Sequence, residues 1–368
     1  MIKDKLQRNS SELEAIIKTN TKWNKARVFI ITALIVGLLK LQQTNLKKLA
    51  KVVNPNEDKD VNYRRLNRFF QKFRFDKIVL GKLLKSFLPD GKLVVSIDRT
   101  NWKFGKTHIN ILMLSVADNG VGKPIIWTVL DKEKTKQGNS GYKERIELME
   151  QFLKIVEVER IKVLVADREF IGEKWFEWLK ENKLPFVIRI KSNTNIKVGK
   201  GSVSIASRFS FLAVGSHTFC QKKRELYGYK NLSIIALKTE DDYVILATNI
   251  NQEFAFIYYK QRWTIELLFS AFKKRGFNLE ETHMSANEKI DSLVAILSLA
   301  FVWSVSIGEI LNEQKPIKSL KHGRKAQSIF LLGLEHLSEI FLNYTYKSNK
   351  EIVFCFAKFL ELLKNDDY

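Results

Sequence analysis

Two aspartates in the sequence each end a short apolar run that is rich in β-branched residues. Asp98 closes residues 92–98, and Asp167 closes residues 161–167. Such runs are typical of buried strands, and in open sheets ligands bind beyond the carboxyl ends of the strands. Two carboxylates at one such edge repel each other unless a cation lies between them, and hard oxygen ligands select Mg²⁺ or Mn²⁺. The alternative for each aspartate is a turn residue or a helix cap.

A third acid, Glu266, lies in a predicted long helix of residues 254–275. At 3.6 residues per turn, Tyr259, Arg262, Glu266 and Lys273 fall within about 60° of arc. A largely opposite apolar stripe is formed by Ile265, Leu268 and Phe272. One carboxylate among cationic donors suits a place where a metal ion and a phosphate backbone meet. The alternative is a solvated face on which Arg262 and Glu266 pair at i,i+4.

The charge of the chain indicates an anionic partner. The 368 residues carry a formal net charge of +22, and residues 1–90 hold 20 Lys or Arg against 8 Asp or Glu. Such a balance favours nucleic acid or an anionic membrane surface. A predicted helix of residues 61–73 carries Arg64, Arg65 and Arg68 after a short helix of residues 47–53. A helix, a turn and a basic helix suit contact with DNA, and the alternative is a solvated basic face.

Several classes of protein are excluded or disfavoured. Two cysteines, Cys220 and Cys355, exclude a disulfide framework and a Cys-rich zinc site. The N-terminus is polar, and we expect no signal peptide. The longest uncharged apolar segment, residues 293–308, is shorter than a usual membrane span and contains three serines. We therefore predict a buried core helix there and no membrane partner.

The order of predicted elements indicates an α/β domain. A β-β-β-α-β-α-β series is predicted over residues 92–98, 110–118, 123–131, 142–156, 161–167, 172–182 and 185–191. Short alternating runs with glycines predict an all-β insertion at residues 192–250. We predict three regions: a helical DNA-binding region (1–90), a catalytic domain (91–310) and a C-terminal helical region for dimerisation or DNA contact (311–368).

The helix residues also carry a family resemblance. The spacing Tyr259-x2-Arg262-x3-Glu266-x6-Lys273 resembles the Tyr-Arg-Glu-Lys signature of the insertion-sequence-four family of cut-and-paste DDE transposases. Asp98 in VVSIDRTNW resembles the first acid of that family, and Asp167 in VLVADREFIGEKW resembles the second. The resemblance covers residues 90–310.

The resemblance implies a fold and a reaction. It implies an RNase H-like mixed five-stranded sheet with flanking helices, with the all-β insertion before the last catalytic helix. Asp98, Asp167 and Glu266 would bind two divalent metal ions, Mg²⁺ or Mn²⁺, for hydrolysis at transposon ends and transesterification into target DNA. Tyr259, Arg262 and Lys273 would hold the DNA backbone.

The partners implied are double-stranded DNA, as terminal inverted repeats and target, and a second copy of the chain in a homodimeric synaptic complex. A protein of this kind is expected in the bacterial cytoplasm, at the nucleoid.

A hairpin at the excised end is a further implication of the resemblance. Some relatives stack a flipped base on a tryptophan of the insertion, but all seven tryptophans of this chain lie outside residues 192–250. The aromatic residues of the insertion could stack a base instead or fill its small core; they are Phe209, Phe211, Phe219, Tyr227 and Tyr229.

Three further residues each have two interpretations. Arg168 could contact phosphate or pair with Glu169, and Glu169 is a rival third acid. His283 could approach the metal site or be an ordinary loop histidine. Two other functions also fit: a catalytically inactive DNA-binding derivative of a transposase, or another RNase H-fold nuclease such as a junction resolvase.

Overall fold

The computed structural model describes residues 23–130, 140–198, 201–321 and 323–342. The chain divides into two compact units that are interleaved in sequence, whereas the pattern of elements predicts consecutive regions. We name them by content. The helical unit contains residues up to Leu88, Asn101–Ile109 and the chain from Leu267, and the sheet unit contains Pro89–Thr100 and Asn110–Glu266.

The helical unit begins with four helices: α1 (Lys25–Leu41), α2 (Leu46–Val53), α3 (Lys59–Lys72) and α4 (Lys77–Lys85). Each follows a residue whose side chain accepts hydrogen bonds from the first turn, and these residues are Asn24, Asn45, Asp58 and Asp76. Such capping satisfies backbone N–H groups that have no partner inside the helix. Helices α2 and α3 confirm the two helices predicted at 47–53 and 61–73.

The second part of the helical unit holds two long apolar helices, numbered α10 (Asn287–Gln314) and α11 (Ile329–Leu342) in chain order. They pack against each other and against α1. Gly308 and Gly333 permit this close approach: a Cβ on Gly333 would collide with the backbone oxygen of Ser304, and one on Gly308 with that of Ile329. Ring contacts accompany this close backbone packing, between Phe301 and Phe330 at 4.7 Å and between Trp303 and Phe341 at 5.9 Å.

Helix α10 contains the apolar segment 293–308, and every residue of that segment is buried. Ser304 and Ser306 donate their hydroxyls to the carbonyls of Ala300 and Val302, four residues earlier. Of the helices described, α10 alone is long and apolar enough to cross a membrane by itself. Helices α1 and α2 pass the same test only as one pair bent by 109°. Since 89% of the most apolar stretch of α10 is buried inside the protein, it is a core helix as predicted.

The sheet unit is built on β1 (Leu93–Phe104), β2 (Thr107–Asp118), β3 (Val121–Val129), β4 (Ile161–Ala166) and β5 (Phe186–Ile190). Helix α5 (Tyr142–Leu153) precedes β4, and α6 (Glu173–Glu181) precedes β5. Strand β4 is parallel to both β1 and β5, while β2 and β3 form an antiparallel hairpin. The element order matches the predicted series, although β1 runs six residues beyond Asp98.

The insertion enlarges this sheet from five strands to nine, which corrects the predicted strand number. Its elements are β6 (Asn195–Val198), β7 (Gly201–Ser204), α7 (Ile205–Arg208), β8 (His217–Phe219), β9 (Arg224–Leu226), β10 (Tyr229–Lys238) and β11 (Tyr243–Thr248). The order is β3-β2-β1-β4-β5-β11-β10-β8, with β9 on β10 and a separate β6-β7 pair. The short helix α7 shows that the insertion is not entirely β. Strand β11 pairs with β5 because that strand otherwise leaves an unsatisfied edge.

The helix predicted over 254–275 is two helices, α8 (Ala255–Gln261) and α9 (Trp263–Lys273), separated at Arg262. The backbone N–H of Arg262 bonds to Tyr259 O, and that of Ile265 bonds to Arg262 O. Both bonds span three residues instead of four, so the chain tightens locally between the two helices.

Candidate active site

The two aspartates leave adjacent strands at the same point. Strands β1 and β4 are parallel, and their register ends at the pair Ile97↔Ala166. Asp98 and Asp167 are the next residues along each chain. The prediction that two acids follow neighbouring strands at one sheet edge is therefore confirmed. Both side chains are partly buried.

Helix α8 brings the helix residues to the same edge. It lies on β4 and β5, where Tyr259 and Phe256 pack against a cluster that includes Val163, Val165 and Val187. The hydroxyl of Tyr259 donates a hydrogen bond of 3.4 Å to Asp167 Oδ1. Apolar burial of one face of the helix thus fixes the position of its polar face.

Arg262 connects two of the three acids. Its Nη1 donates to Asp98 Oδ2 at 3.1 Å, and its Nη2 donates to Glu266 Oε1 at 2.5 Å. The guanidinium also lies 5.6 Å from the centre of the Tyr259 ring. The predicted i,i+4 pair of Arg262 and Glu266 is present, but it is not a solvated one, because the Arg262 side chain is only 12% exposed and also bonds to Asp98.

A glycine that the sequence reasoning missed lets α9 approach the hairpin. A Cβ on Gly122 in β3 would lie 2.7 Å from the backbone oxygen of Thr264 and 2.9 Å from its carbonyl carbon. Real Cβ atoms do not come this close to backbone, so a side chain at this position would displace the segment between Arg262 and Glu266. A lone glycine within a predicted strand is the sequence signal for such an approach.

The charges at this edge are strongly coupled. The pKa of Asp98 is raised to about 6, mainly by burial and to a smaller extent by the Asp167 and Glu266 carboxylates, against the opposing effects of the Arg99 N–H and the Arg262 guanidinium. Burial disfavours the charge on Arg262, but Tyr259, Asp98 and Glu266 outweigh it and raise the pKa of the guanidinium. Burial also raises the pKa of the Tyr259 hydroxyl. A partly desolvated group of three acids and one cation is typical of a functional site.

Glu169 is held by other partners and does not join the three acids. Its carboxylate accepts bonds from Arg99 Nε at 3.1 and 3.2 Å and from Arg99 Nη2 at 3.1 Å. It also accepts two bonds of 2.9 Å from the N–H and the hydroxyl of Ser140. The interpretation of Glu169 as a rival third acid is therefore not supported, and its ion-pair partner is Arg99, whereas Arg168 is exposed.

The three acids suit a divalent cation by their chemistry. Within the described ranges, no three His, Cys, Asp or Glu side chains are arranged to hold a metal ion as they stand. Arg262 bonds to two of the three carboxylates in this arrangement. The donor set nevertheless fits. Asp167 and Glu266 are close enough to Asp98 to raise the pKa of its carboxyl, and the three acids supply the hard oxygens that Mg²⁺ and Mn²⁺ prefer.

The sequence matches a model of a known domain family, described as "Transposase DDE domain", over residues 89–303. The chain belongs to the DDE transposase family. Family membership makes it a DNA transposase, and enzymes of this family are divalent-metal-dependent nucleases and strand transferases. The matched residues include all three acids of the site.

Two solved structures are similar to the chain at low sequence identity and low TM-score. A piggyBac transposase synaptic complex with hairpin DNA is 14% identical over 94% of this chain and 78% of that chain, with a TM-score of 0.44. Endonuclease V from Bacillus subtilis is 11% identical over 66% of this chain and 92% of that chain, with a TM-score of 0.26. No curated protein matches the sequence. The assignment to the DDE family rests on the domain match.

The remaining predicted site residues of this DDE-family chain lie in the helical unit. Lys273 donates to Asn101 O at 2.7 Å and pairs with Glu280 at 2.9 Å. His283 is exposed and its ring lies 5.3 Å from that of Phe104, as an ordinary loop histidine would.

The arginines of α3 differ in their surroundings. Arg64 and Arg68 are exposed, whereas Arg65 pairs with Glu57 at 2.8 Å. A groove of about 790 Å³ in the helical unit is lined by five cations, one acid, two asparagines and several apolar residues; the charged ones are Lys25, Arg27, Arg65, Arg68, Lys72 and Glu57. A groove with this lining is basic, as phosphate contact requires.

The aromatic residues of the insertion divide into two groups. Phe209 is buried, Tyr227 packs on Phe176, and Tyr229 packs on Phe186 and bonds to Asn249. Phe209 therefore belongs to the core of the DDE-family sheet unit, and the half-buried Tyr227 and Tyr229 pack against it from the edge. Phe211 is 75% exposed and Phe219 is 44% exposed, so these two rings are accessible to a partner.

Proposed function

We propose that the chain is the transposase of a bacterial insertion sequence. It binds the terminal inverted repeats, cleaves at the transposon ends by metal-dependent phosphodiester hydrolysis, and joins the 3′-hydroxyl ends to target DNA by transesterification. The single observation that carries the proposal is the placement of Asp98 and Asp167 at one sheet edge, with Arg262 bonded to both Asp98 and Glu266.

Within this proposal, Asp98, Asp167 and Glu266 hold two divalent metal ions, Mg²⁺ or Mn²⁺. Bound there, such ions supply activation of the attacking hydroxyl and stabilisation of the leaving oxygen. Asp98 must be ionised to bind a cation, and burial is the main cause that raises the pKa of its carboxyl to about 6.

Arg262 and Tyr259 position the DNA backbone in this proposal. The guanidinium presents several donors in a planar fork that matches phosphate oxygens, and the Tyr259 hydroxyl can donate to one more. Both side chains already reach the acids, at 3.1 Å for Arg262 to Asp98 and 3.4 Å for Tyr259 to Asp167. A phosphate bound by them would therefore lie beside the carboxylates. Lys273 and the exposed Arg168 are proposed as further backbone contacts.

The helical unit is proposed to hold the transposon ends. Helix α3 carries Arg64, Arg65 and Arg68, and the basic groove gives phosphate groups a concave surface. The C-terminal region, of which α11 is the described helix, is proposed for dimerisation or further DNA contact. The working species is proposed to be a homodimer on two DNA ends, at the nucleoid in the bacterial cytoplasm.

The finer family assignment is part of the same proposal. The Tyr-Arg-Glu-Lys spacing supports membership of the insertion-sequence-four group within the DDE transposases. A hairpin intermediate would need an aromatic ring for a flipped base, and the exposed Phe211 and Phe219 are the available rings within the described insertion.

The test is cleavage of DNA by the purified full-length chain. The substrate carries the inverted repeats that flank the gene, and Mg²⁺ is added. We expect cutting at the repeat ends by the wild type, and binding without cutting by Asp98→Asn, Asp167→Asn and Glu266→Gln. Full activity of any of these variants would refute the assigned site. Binding without cutting by the wild type under every divalent metal supports an inactive derivative. A preference for branched DNA over repeat ends supports a resolvase.

A further inference from the structure

Arg99 and Glu169 form an ion pair just after the two aspartates in the chain. The Arg99 guanidinium donates three bonds of 3.1 to 3.2 Å to both oxygens of the Glu169 carboxylate. The two side chains are 12% and 18% exposed. Arg99 also donates from Nη1 to Asn110 Oδ1 at 3.1 Å, which ties the same guanidinium to β2. A fork-shaped pair with this geometry fixes direction as well as distance.

The ion pair lies just beyond the end of the parallel ladder of β1 and β4. The parallel ladder of β1 and β4 ends at Ile97↔Ala166. Beyond it, β1 continues through Asp98 to Arg99, and the chain after β4 continues through Asp167 to Glu169. The ion pair is thus a cross-strand connection after the last ladder pair, on the far side of both aspartates. It joins the two segments where the charges of Asp98 and Asp167 repel each other.

Glu169 is fixed from a second side. Ser140 donates its N–H and its hydroxyl to Glu169 Oε1, both at 2.9 Å. Ser140 is itself held by the buried Arg145, which donates from Nε to the serine hydroxyl at 2.9 Å and from Nη2 to its carbonyl. The Arg145 guanidinium lies over the Phe170 ring at 4.9 Å. The Glu169 carboxylate therefore accepts bonds from two elements and has little freedom to move.

We propose that Arg99 and Glu169 are positioning residues that hold the Asp98 and Asp167 carboxylates at a separation two divalent metal ions require. This rests on the proposed function. Neither residue touches the metal ions or the DNA in this role. They act through the backbone, since Arg99 follows Asp98 by one residue and Glu169 follows Asp167 by two. Arg99 adds a direct contribution, because its N–H donates to Asp98 Oδ1 at 2.7 Å.

The test measures metal binding separately from cleavage. Glu169→Gln removes the negative charge from the ion pair but keeps the size of the side chain. Supporting groups behind metal ligands typically contribute a factor of roughly 10 to 100 in metal affinity or activity. We expect Mn²⁺ affinity without DNA, measured by electron paramagnetic resonance, to fall by about tenfold or more, and the cleavage rate to fall with it. The dissociation constant for repeat-end DNA without metal stays at the wild-type value. Glu169→Asp, which keeps the charge, recovers part of the Mn²⁺ affinity.

A matched control is Asp291→Asn, which breaks a partly buried ion pair, Lys77–Asp291 at 3.0 Å, in the helical unit. It is expected to lower the melting temperature while leaving Mn²⁺ affinity near the wild-type value. Should Glu169→Gln fail to fold, Arg99→Lys decides, since lysine keeps the charge but loses the fork. Wild-type Mn²⁺ affinity and cleavage in the folded variant would overturn the positioning role. A wild-type protein that neither binds Mn²⁺ nor cuts repeat ends would instead overturn the proposed function.

Discussion

The guanidinium of Arg262 lies 3.1 Å from the carboxylate of Asp98, and the two residues are 164 positions apart in the chain. The same guanidinium bonds to Glu266, one helical turn ahead. Arg262 therefore neutralises part of the negative charge that three acids create at one sheet edge. In the proposed function this arginine has two electrostatic roles, because the charge that would attract a DNA phosphate also opposes a second cation among the acids.

Replacing Arg262 with alanine should separate these roles. We expect Arg262→Ala to raise the affinity for Mn²⁺ without DNA at pH 8 by roughly tenfold, about 1.4 kcal/mol, because a competing positive charge is removed. The cleavage rate should fall, because the phosphate loses its partner. The Mn²⁺ affinity of Arg262→Lys should lie between those of the wild type and Arg262→Ala. Calorimetric titration with Mn²⁺ measures the first effect, and unchanged affinity in Arg262→Ala would contradict it.

Metal binding should depend on pH through Asp98. Burial raises the pKa of this carboxyl to about 6, so Asp98 is ionised above that pH and protonated below it. Because a protonated carboxyl cannot bind a cation, Mn²⁺ affinity is expected to be full near pH 7.5, to fall as the pH drops through about 6, and to approach a tenfold loss per pH unit below about pH 5. Equilibrium titrations between pH 4.5 and 8 test this. Asp98→Asn should bind weakly and lose this pH dependence, and a flat profile in the wild type would argue against the assignment.

The contact between Gly122 and Thr264 should be essential for activity. A methyl group at Gly122 would lie 2.7 Å from the Thr264 carbonyl oxygen and would shift the segment that carries Arg262 and Glu266. We expect Gly122→Ala to lose about 1 to 3 kcal/mol of folding free energy and most of the cleavage activity. The control is Gly37→Ala in α1, where the new Cβ would meet side-chain methyl groups and no backbone, the nearest being that of Leu49 at 3.1 Å. Denaturant unfolding and cleavage rates on both variants distinguish a local displacement from a general loss of stability.

The basic face of α3 should determine the salt dependence of DNA binding. Each phosphate contact that is lost reduces the slope of log affinity against log salt by about 0.9. We therefore expect Arg64→Ala and Arg68→Ala each to flatten the slope by about that amount, with similar effects on specific and random DNA. Lys180→Ala, an exposed change on α6, is the control. Slopes equal to that of the wild type would exclude α3 from the DNA interface.

Much of the site could be predicted because it depends on local patterns. A β-branched run that ends on an acid is visible in the sequence, and Asp98 and Asp167 do leave neighbouring strands. Helical spacing also placed Arg262 and Glu266 on one face, and they form a bond. The spacing did not indicate the break at Arg262, since every residue around it is compatible with a helix. The break is visible only in the backbone hydrogen bonds, which span three residues there instead of four.

The parts that could not be predicted depend on long-range pairing. Glu169 is adjacent to Arg168 in sequence, yet its charge partner is Arg99, 70 residues earlier. No periodicity encodes that choice, which follows from the register of β1 and β4. In the same way, alternating runs at 192–250 predict strands but not the strand that each will join. Here β11 joins the sheet at the free edge of β5.

The pairing of β11 with β5 has a consequence for attempts to shorten or graft this protein. An insertion that folded as a separate module could be deleted or exchanged at its two ends. Here the segment completes the hydrogen bonding of β5, and its last strand leads within a few residues to α8 and Tyr259. Deleting it would expose a hydrophobic strand edge and detach the helix that carries part of the site, so aggregation is the expected result rather than a smaller enzyme.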